Sequence, residues 1–393
     1  MTRTGPEASF TSVEICAGAG GQAVGLHMAG FRHLALIEID QDACATLRAN
    51  VEKDSSWGDC KVINADLKKF KSDDLGLKPG QLDLLAGGVP CPPFSFAGKQ
   101  LGADDERDLF PRMLEMVAEL EPKAVMIENV RGLLEPEHKF AAYRSEIVEA
   151  LEKMDYRICY WRVLEARDYG VPQLRPRAIL VAMKAEYHRH FKWVEPQHAV
   201  VTVAAALRQS MRSRFQADGS AGWEKFYKNW LDQAKLGSVA PTLVGGSKKH
   251  GGADLGPTRA KEAWGKLGIC GLGVANEPEE MTSPERDLYS PRGPKLTVRQ
   301  AAIIQGFPKT WKFSGRKTAA YRQVGNAFPP PVAKAVGEQI FAALDAGKKE
   351  LERRKAEDHG KEMLFDMTVP APSGPPRSEL VDSRRNLKRA KVR

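Results

Sequence analysis

An α/β fold wound around a largely parallel sheet is predicted by three observations on this 393-residue chain. Short apolar runs alternate with stretches of helical period from residue 11 to residue 185. A glycine-rich turn follows the first of those runs and opens the first helix, as in a nucleotide-binding βαβ unit. One cysteine, Cys91, is set between prolines just past a later apolar run, at the sheet edge where open α/β proteins bind ligands.

The elements follow in order. Residues 12–16 read as the first strand, 17–21 as the glycine turn and 22–29 as the helix behind it. Residues 34–37 are a second strand and 41–50 a helix. The third strand ends at 62–66, and 82–86 is the fourth. A helix over 109–120 leads into a fifth strand at 124–128. Residues 145–154 are helical, and 157–163 and 178–183 are later strands. After residue 186 the periodicity weakens and Gly, Lys, Trp and Ser increase, which predicts a smaller, mostly irregular domain built for surface contacts. A helix over 297–305 stops near Gly306 and Pro308, and a last helix runs from about 331 to 344. A charged, helix-compatible stretch over 348–361 precedes a proline-rich segment and a basic end, and residues 366–393 are expected to be disordered.

Composition narrows the class. A hydrophobic content of 42% with 28% charged residues is that of an ordinary globular protein. No apolar run approaches the ~20 residues of a bilayer span, and the first residues lack a signal-peptide core. Six cysteines without CxxC pairs suggest neither a disulfide framework nor a zinc site. A reducing cytosol is expected. The net charge of +9 is concentrated in residues 186–295 and 347–393, while the rest is neutral overall. Those two regions are therefore either solvated surfaces or faces turned to a polyanion.

Four sites carry chemistry. Gly18, Gly20 and Gly21 let a ligand approach the backbone at a helix N-terminus. Glu38, twenty residues after Gly18, could take a ribose hydroxyl pair, and Asp66 an adenine amino group. This describes a nucleoside pocket without separating a dinucleotide from S-adenosylmethionine, and a tight structural turn is the bland alternative. In Gly87-Gly88-Val89-Pro90-Cys91-Pro92-Pro93-Phe94-Ser95 the prolines fix the backbone around one thiol, which favours a reactive cysteine over a core one. Glu128, closing the fifth strand before Asn129-Val130, is placed for acid catalysis unless it is merely solvated. Gln173-Leu174-Arg175-Pro176-Arg177 offers two arginines to an anion or a carbonyl oxygen, the default being a surface ion pair.

In order, these pieces resemble the DNA cytosine-5 methyltransferases of the bacterial restriction-modification type. Cys16-Ala17-Gly18-Ala19-Gly20-Gly21 is similar to the family's cofactor motif, residues 87–95 to its nucleophile motif, and Glu128-Asn129-Val130 to its Glu-Asn-Val motif. Residues 173–177 match Gln-x-Arg-x-Arg. Arg299 with Gln305-Gly306-Phe307-Pro308, and Tyr321-Arg322-Gln323-Val324-Gly325-Asn326, match the two late motifs. The likeness covers roughly residues 11–185 and 296–342. Cys16 replaces the usual phenylalanine and Pro92 a common glutamine. The first loosens packing beside the cofactor, and the second still permits a rigid turn.

The resemblance implies a Rossmann-like S-adenosylmethionine-dependent methyltransferase fold. Residues 1–185, completed by about 318–346, would be the catalytic and cofactor-binding domain. Residues 186–317 would be the target-recognition domain, and 347–393 a largely disordered basic tail. Cys91 would add to C6 of a flipped-out cytosine, Glu128 would hold N3 and the exocyclic amine, and Arg177 would hold O2 with support from Arg175. S-adenosyl-L-methionine, leaving as S-adenosyl-L-homocysteine, would be bound by Cys16, Ala17, Gly18, Gly20, Gly21, Glu38, Ile39, Asp66 and Leu67. Pro90, Leu109, Asn326 and Ala327 would complete the cofactor site, and no metal is expected. Ser95, Lys99, Gln100 and Arg107 would face DNA from a mobile loop. Thr242, Leu243, Lys248, Lys249 and Arg259 would serve recognition. Double-stranded DNA is the implied partner and a cognate restriction endonuclease a further one. A cytoplasmic, nucleoid-associated monomer with no membrane attachment is expected. Three other readings stand beside this one: an RNA cytosine methyltransferase, a catalytically silent DNA-binding homologue and an NAD-dependent enzyme. The long basic insertion argues against the first and the retained Cys91, Glu128, Arg175 and Arg177 against the second. The third gives Cys91 and Glu128 no role.

Overall fold

The structure is a computed structural model that describes residues 10–90, 108–196, 198–245 and 253–368. The first strands form where short apolar runs can be covered on both faces, and they lie parallel. They are β1 (Thr11–Ile15), β2 (Arg32–Glu38), β3 (Lys61–Asn64), β4 (Leu84–Gly87) and β5 (Ala124–Val130). Helices α1 (Gly21–Met28) and α2 (Gln41–Val51) follow β1 and β2, and α3 (Phe110–Leu120) precedes β5. Asp40 caps α2 by accepting the Ala43 amide at 3.1 Å. Phe110, Met113, Met116, Val117 and Leu120 form one buried stripe of α3 against the sheet.

After α4 (Ala141–Lys153) come β6 (Tyr156–Glu165) and β7 (Pro176–Lys184). The sheet order is β3-β2-β1-β4-β5-β7-β6, and β7 enters antiparallel between β5 and β6. The expected strands are all present, but the far edge is antiparallel.

The middle of the chain is more helical than its weak periodicity predicts. A short α5 (Ala185–His188) is followed by α6 (Val203–Asp218), α7 (Trp223–Leu236), α8 (Thr258–Lys266) and a short α9 (Pro284–Asp287). Trp264, Trp230, Phe215 and Met211 head a separate core there, which also takes in side chains of α10 (Val298–Gln305) and α11 (Lys317–Asn326). The final helix, α12 (Pro330–Thr368), outruns the expected end near 344 and includes residues 366–368, which were expected to be disordered. By compactness the chain divides into residues 1–348 and 349–393. Val332, Val336 and Ile340 bury the start of α12 in the first unit. In the second, Arg353 pairs with Glu357 at 3.1 Å along the helix. Among the described residues, no helix is long and apolar enough to cross a membrane.

Candidate active site

The order of the sheet reverses between neighbours β1 and β4, so a crevice opens beyond their carboxyl ends. A cavity of about 420 Å³ lies there. Its floor is the glycine turn, which Glu38 organises. One Glu38 oxygen accepts the Gly18 amide at 2.7 Å, and the other accepts the amides of Ile39 and Asp40 at 2.9 and 2.8 Å. A carboxylate offers about four acceptor positions, so little more than one remains for a ligand. Ile39 stands 63% exposed at the rim.

The cavity wall gathers nearly every residue expected at the cofactor: Cys16, Ala17, Gly18, Gly21, Glu38, Ile39, Asp66, Leu67, Pro90, Leu109, Asn326 and Ala327. Gly20 is the exception. It caps α1 with φ 87°, and a Cβ there would lie 2.8 Å from the Trp311 ring and 2.9 Å from Leu47. Its glycine serves the packing behind the turn.

Burial first, then the carboxylates Glu38 and Glu14, push the Cys16 thiol up to about 12. Burial likewise raises Cys44 to about 11, and Cys60 and Cys159 to about 12. None of these four is poised as a thiolate. Cys91 lies outside the described residues, as do Ser95, Lys99, Gln100, Arg107, Lys248 and Lys249. The backbone that leads to Cys91 is held from two sides: Asn129 Nδ2 donates to the Val89 carbonyl at 2.9 Å, and the Leu109 amide to the Pro90 carbonyl at 3.4 Å.

Glu128 faces the cavity from the end of β5, and Arg177 reaches it from β7, whose antiparallel pairing sets Arg177 opposite Val130. Arg177 Nε lies 2.8 Å from Glu128 Oε1. A Cβ at Gly88, just after β4, would stand 3.0 Å from Glu128 Oε2, so the glycine leaves room for the carboxylate.

Three of the expected site residues are tied into the framework. Arg175 is 1% exposed and donates to the carbonyls of Leu243 at 2.7 Å and Gly325 at 2.8 Å. It links the middle region to α11. Leu243 is wholly buried, and its amide donates to Gln173 Oε1 at 3.1 Å. Thr242 Oγ1 donates to the Leu174 carbonyl at 2.5 Å. The Thr-Leu pair therefore stitches the middle region to the Gln-x-Arg-x-Arg segment and presents no leucine side chain outward. Arg259 is exposed on α8.

Sequence reasoning missed Glu14 and Gln22, both buried in the cavity wall. The available signal was an acid inside the apolar run of β1. Among the described residues, no cluster of three His, Cys, Asp or Glu could hold a metal.

The chain is similar to known proteins. Type II methyltransferase M.NaeI of Lentzea aerocolonigenes is 49% identical over 355 residues, 89% of this chain and 79% of that protein. Type II methyltransferase M.NgoMIV of Neisseria gonorrhoeae is 47% identical over 340 residues, 85% of this chain and 98% of that protein. The solved structure of the Entamoeba histolytica methyltransferase EhMeth shares the fold, with a TM-score of 0.57 at 15% identity over 86% of this chain and 99% of that one. Residues 10–342, which supply every wall of the cavity and both members of the Glu128–Arg177 pair, match the family described as C-5 cytosine-specific DNA methylase, and the chain belongs to that family.

Proposed function

We propose that this chain binds S-adenosyl-L-methionine in the cavity at β1 and β4 and methylates C5 of a cytosine flipped out of a specific duplex DNA sequence. Like relatives named as Type II methyltransferases, it would protect host DNA from a cognate restriction endonuclease. The observation that carries this reading is the meeting, on one sheet edge, of a nucleoside-sized cavity with the Glu128–Arg177 pair and the Pro90 backbone leading to Cys91.

The cavity suits the cofactor. Glu38 keeps an acceptor position for a ribose hydroxyl, Ile39 offers an apolar surface to a purine, and Asp66 lies beside it. Buried polar atoms of Glu14 and Gln22 without partners face the same space. When bound, S-adenosyl-L-methionine supplies an electrophilic methyl group.

C5 of cytosine is a weak nucleophile, and the protein's residues address that. The Cys91 thiolate adds to C6 and makes C5 an enamine carbon. Glu128 holds N3 and the exocyclic amine, offsetting the charge that develops as sulfur attacks, while Arg177 holds O2. C5 then takes the methyl group, and loss of its proton expels the Cys91 sulfur. The target base must leave the stack to reach these groups. Ser95, Lys99, Gln100 and Arg107 face the DNA as it does so. Lys248, Lys249 and Arg259 contact groove or phosphate. The enzyme acts as a monomer in the bacterial cytoplasm, on the nucleoid.

Bisulfite sequencing of a host expressing the protein tests the reading. A single sequence context with protected cytosines, absent in Cys91→Ser, is the expected result. Unprotected duplex DNA together with methylated RNA would contradict it.

A further inference from the structure

Trp311 belongs to the segment that the sequence assigns to target recognition, yet its side chain reaches the glycine turn. The indole Nε1 donates to the Ala19 carbonyl at 3.0 Å. At the other end of that same peptide unit, the Gly20 amide donates to the Ala17 carbonyl at 3.0 Å. The peptide between Ala19 and Gly20 is therefore pinned at both ends. Gly20 holds φ 87°, and glycine moves between positive and negative φ at little cost. Rotating the peptide unit makes that change, so the residue itself permits both orientations and the two hydrogen bonds select one. Gly18 and Ala19 line the cavity, so the selection shapes its floor.

The indole is held independently of the turn it fixes. Its ring packs against two cores, the one behind the glycine turn that contains Leu47 and Trp57, and that of the middle region, which contains Phe307. Ring centroids lie 5.9 Å away at Trp57 and 6.3 Å away at Phe307. On its carboxyl side, Asn50 of α2 accepts the Lys312 amide at 2.9 Å and donates to the Lys312 carbonyl at 2.7 Å. The Ser314 amide donates to Thr46 Oγ1 at 2.8 Å. We propose that Trp311 is a positioning residue for cofactor binding, which locks the Ala19–Gly20 peptide in its binding orientation from outside the cavity. Trp311 is not among the described residues that line the cavity, so it acts through the turn alone. This rests on the cofactor reading above.

Trp311→Phe keeps an aromatic ring in the seam and removes the donor. By calorimetry it should bind S-adenosylhomocysteine about fivefold or more weakly. KM for S-adenosyl-L-methionine should rise in step, while kcat at saturating cofactor and affinity for duplex DNA each stay within about twofold of wild type. Hydrogen exchange reads the turn itself. Without cofactor, the Gly20 amide should exchange about fivefold or more faster in Trp311→Phe, with amides of α3 and β5 at wild-type rates. Unchanged S-adenosylhomocysteine affinity, an equal loss of DNA affinity, or faster exchange spread across the protein would overturn the proposal. Should Trp311→Phe not fold, Asn50→Ala decides, because it frees the Lys312 backbone and keeps the indole. Weaker S-adenosylhomocysteine with wild-type DNA affinity supports the proposal, and any other result overturns it. A wild-type protein that does not bind S-adenosylhomocysteine would instead overturn the cofactor reading, and Gly20 exchange would still report whether Trp311 holds the turn.

Discussion

Arg177 Nε sits 2.8 Å from Glu128 Oε1 across the antiparallel seam of β5 and β7. The strand that departs from the parallel pattern thus delivers the cation to the acid. Glu128→Gln, which keeps the shape and removes the charge, should lower kcat by roughly 10²- to 10⁴-fold with S-adenosylhomocysteine affinity unchanged. Tritiated methyl transfer alongside calorimetry measures both.

Arg177→Lys should also lower kcat, because an ammonium on a flexible stem cannot reproduce the guanidinium's fixed fork toward Glu128 and a base carbonyl. The same transfer assay checks it, and a wild-type rate would remove Arg177 from base holding.

Much of this was legible in the sequence, for a physical reason. Glycine turns and acids at strand ends are local signals, and they picked out Gly18, Glu38 and Glu128, which line one cavity. Long-range outcomes were not legible. Arg175 reads like Arg177, two residues away on the same segment, yet its donors go to Leu243 and Gly325, 68 and 150 residues distant in sequence. Gly20 reads like Gly18 until Trp311 is found packed behind it. The helices at residues 203–236 were missed although Val203, Leu207, Met211 and Phe215, and then Trp223, Phe226, Tyr227, Trp230 and Ala234, recur at helical spacing, because the region's Gly, Lys and Ser content masks that period.

Glu38 is first a builder of the turn. Glu38→Ala leaves three backbone amides without their acceptor, so it should weaken S-adenosylhomocysteine and 5′-methylthioadenosine alike, each by about ten- to a hundredfold. It should lower Tm as well. Calorimetry and thermal unfolding check the two effects.

Glu14 should cost stability as pH rises. Its carboxyl is raised by burial, Glu38 and Glu128, so above the ordinary carboxylate range the unfolded chain has lost a proton that the folded chain retains. Stability from this group is full at low pH and declines until the folded group itself ionises. Glu14→Gln removes that slope. It should therefore raise Tm at pH 8 relative to wild type, with little change near pH 4. Thermal unfolding across pH, without cofactor, tests the sign.

Residues 369–393 lie outside the described structure, and their sequence is rich in Lys and Arg with no aromatic residue. Deleting them should weaken binding to every duplex alike and flatten its dependence on salt, through fewer released counterions, while leaving the methylated sequence unchanged. A salt titration on target and non-target duplexes measures the slopes.

The central claim is that Cys91 performs covalent catalysis on cytosine. Duplex DNA carrying 5-fluorocytosine at the methylated position tests it most directly, because fluorine cannot leave as a proton does and the adduct is trapped. With S-adenosyl-L-methionine present, wild type should form a complex with this DNA that survives denaturing electrophoresis, and Cys91→Ser should form none. A wild-type enzyme that methylates ordinary cytosine at the site yet forms no such complex, or an equal yield from Cys91→Ser, would contradict the account.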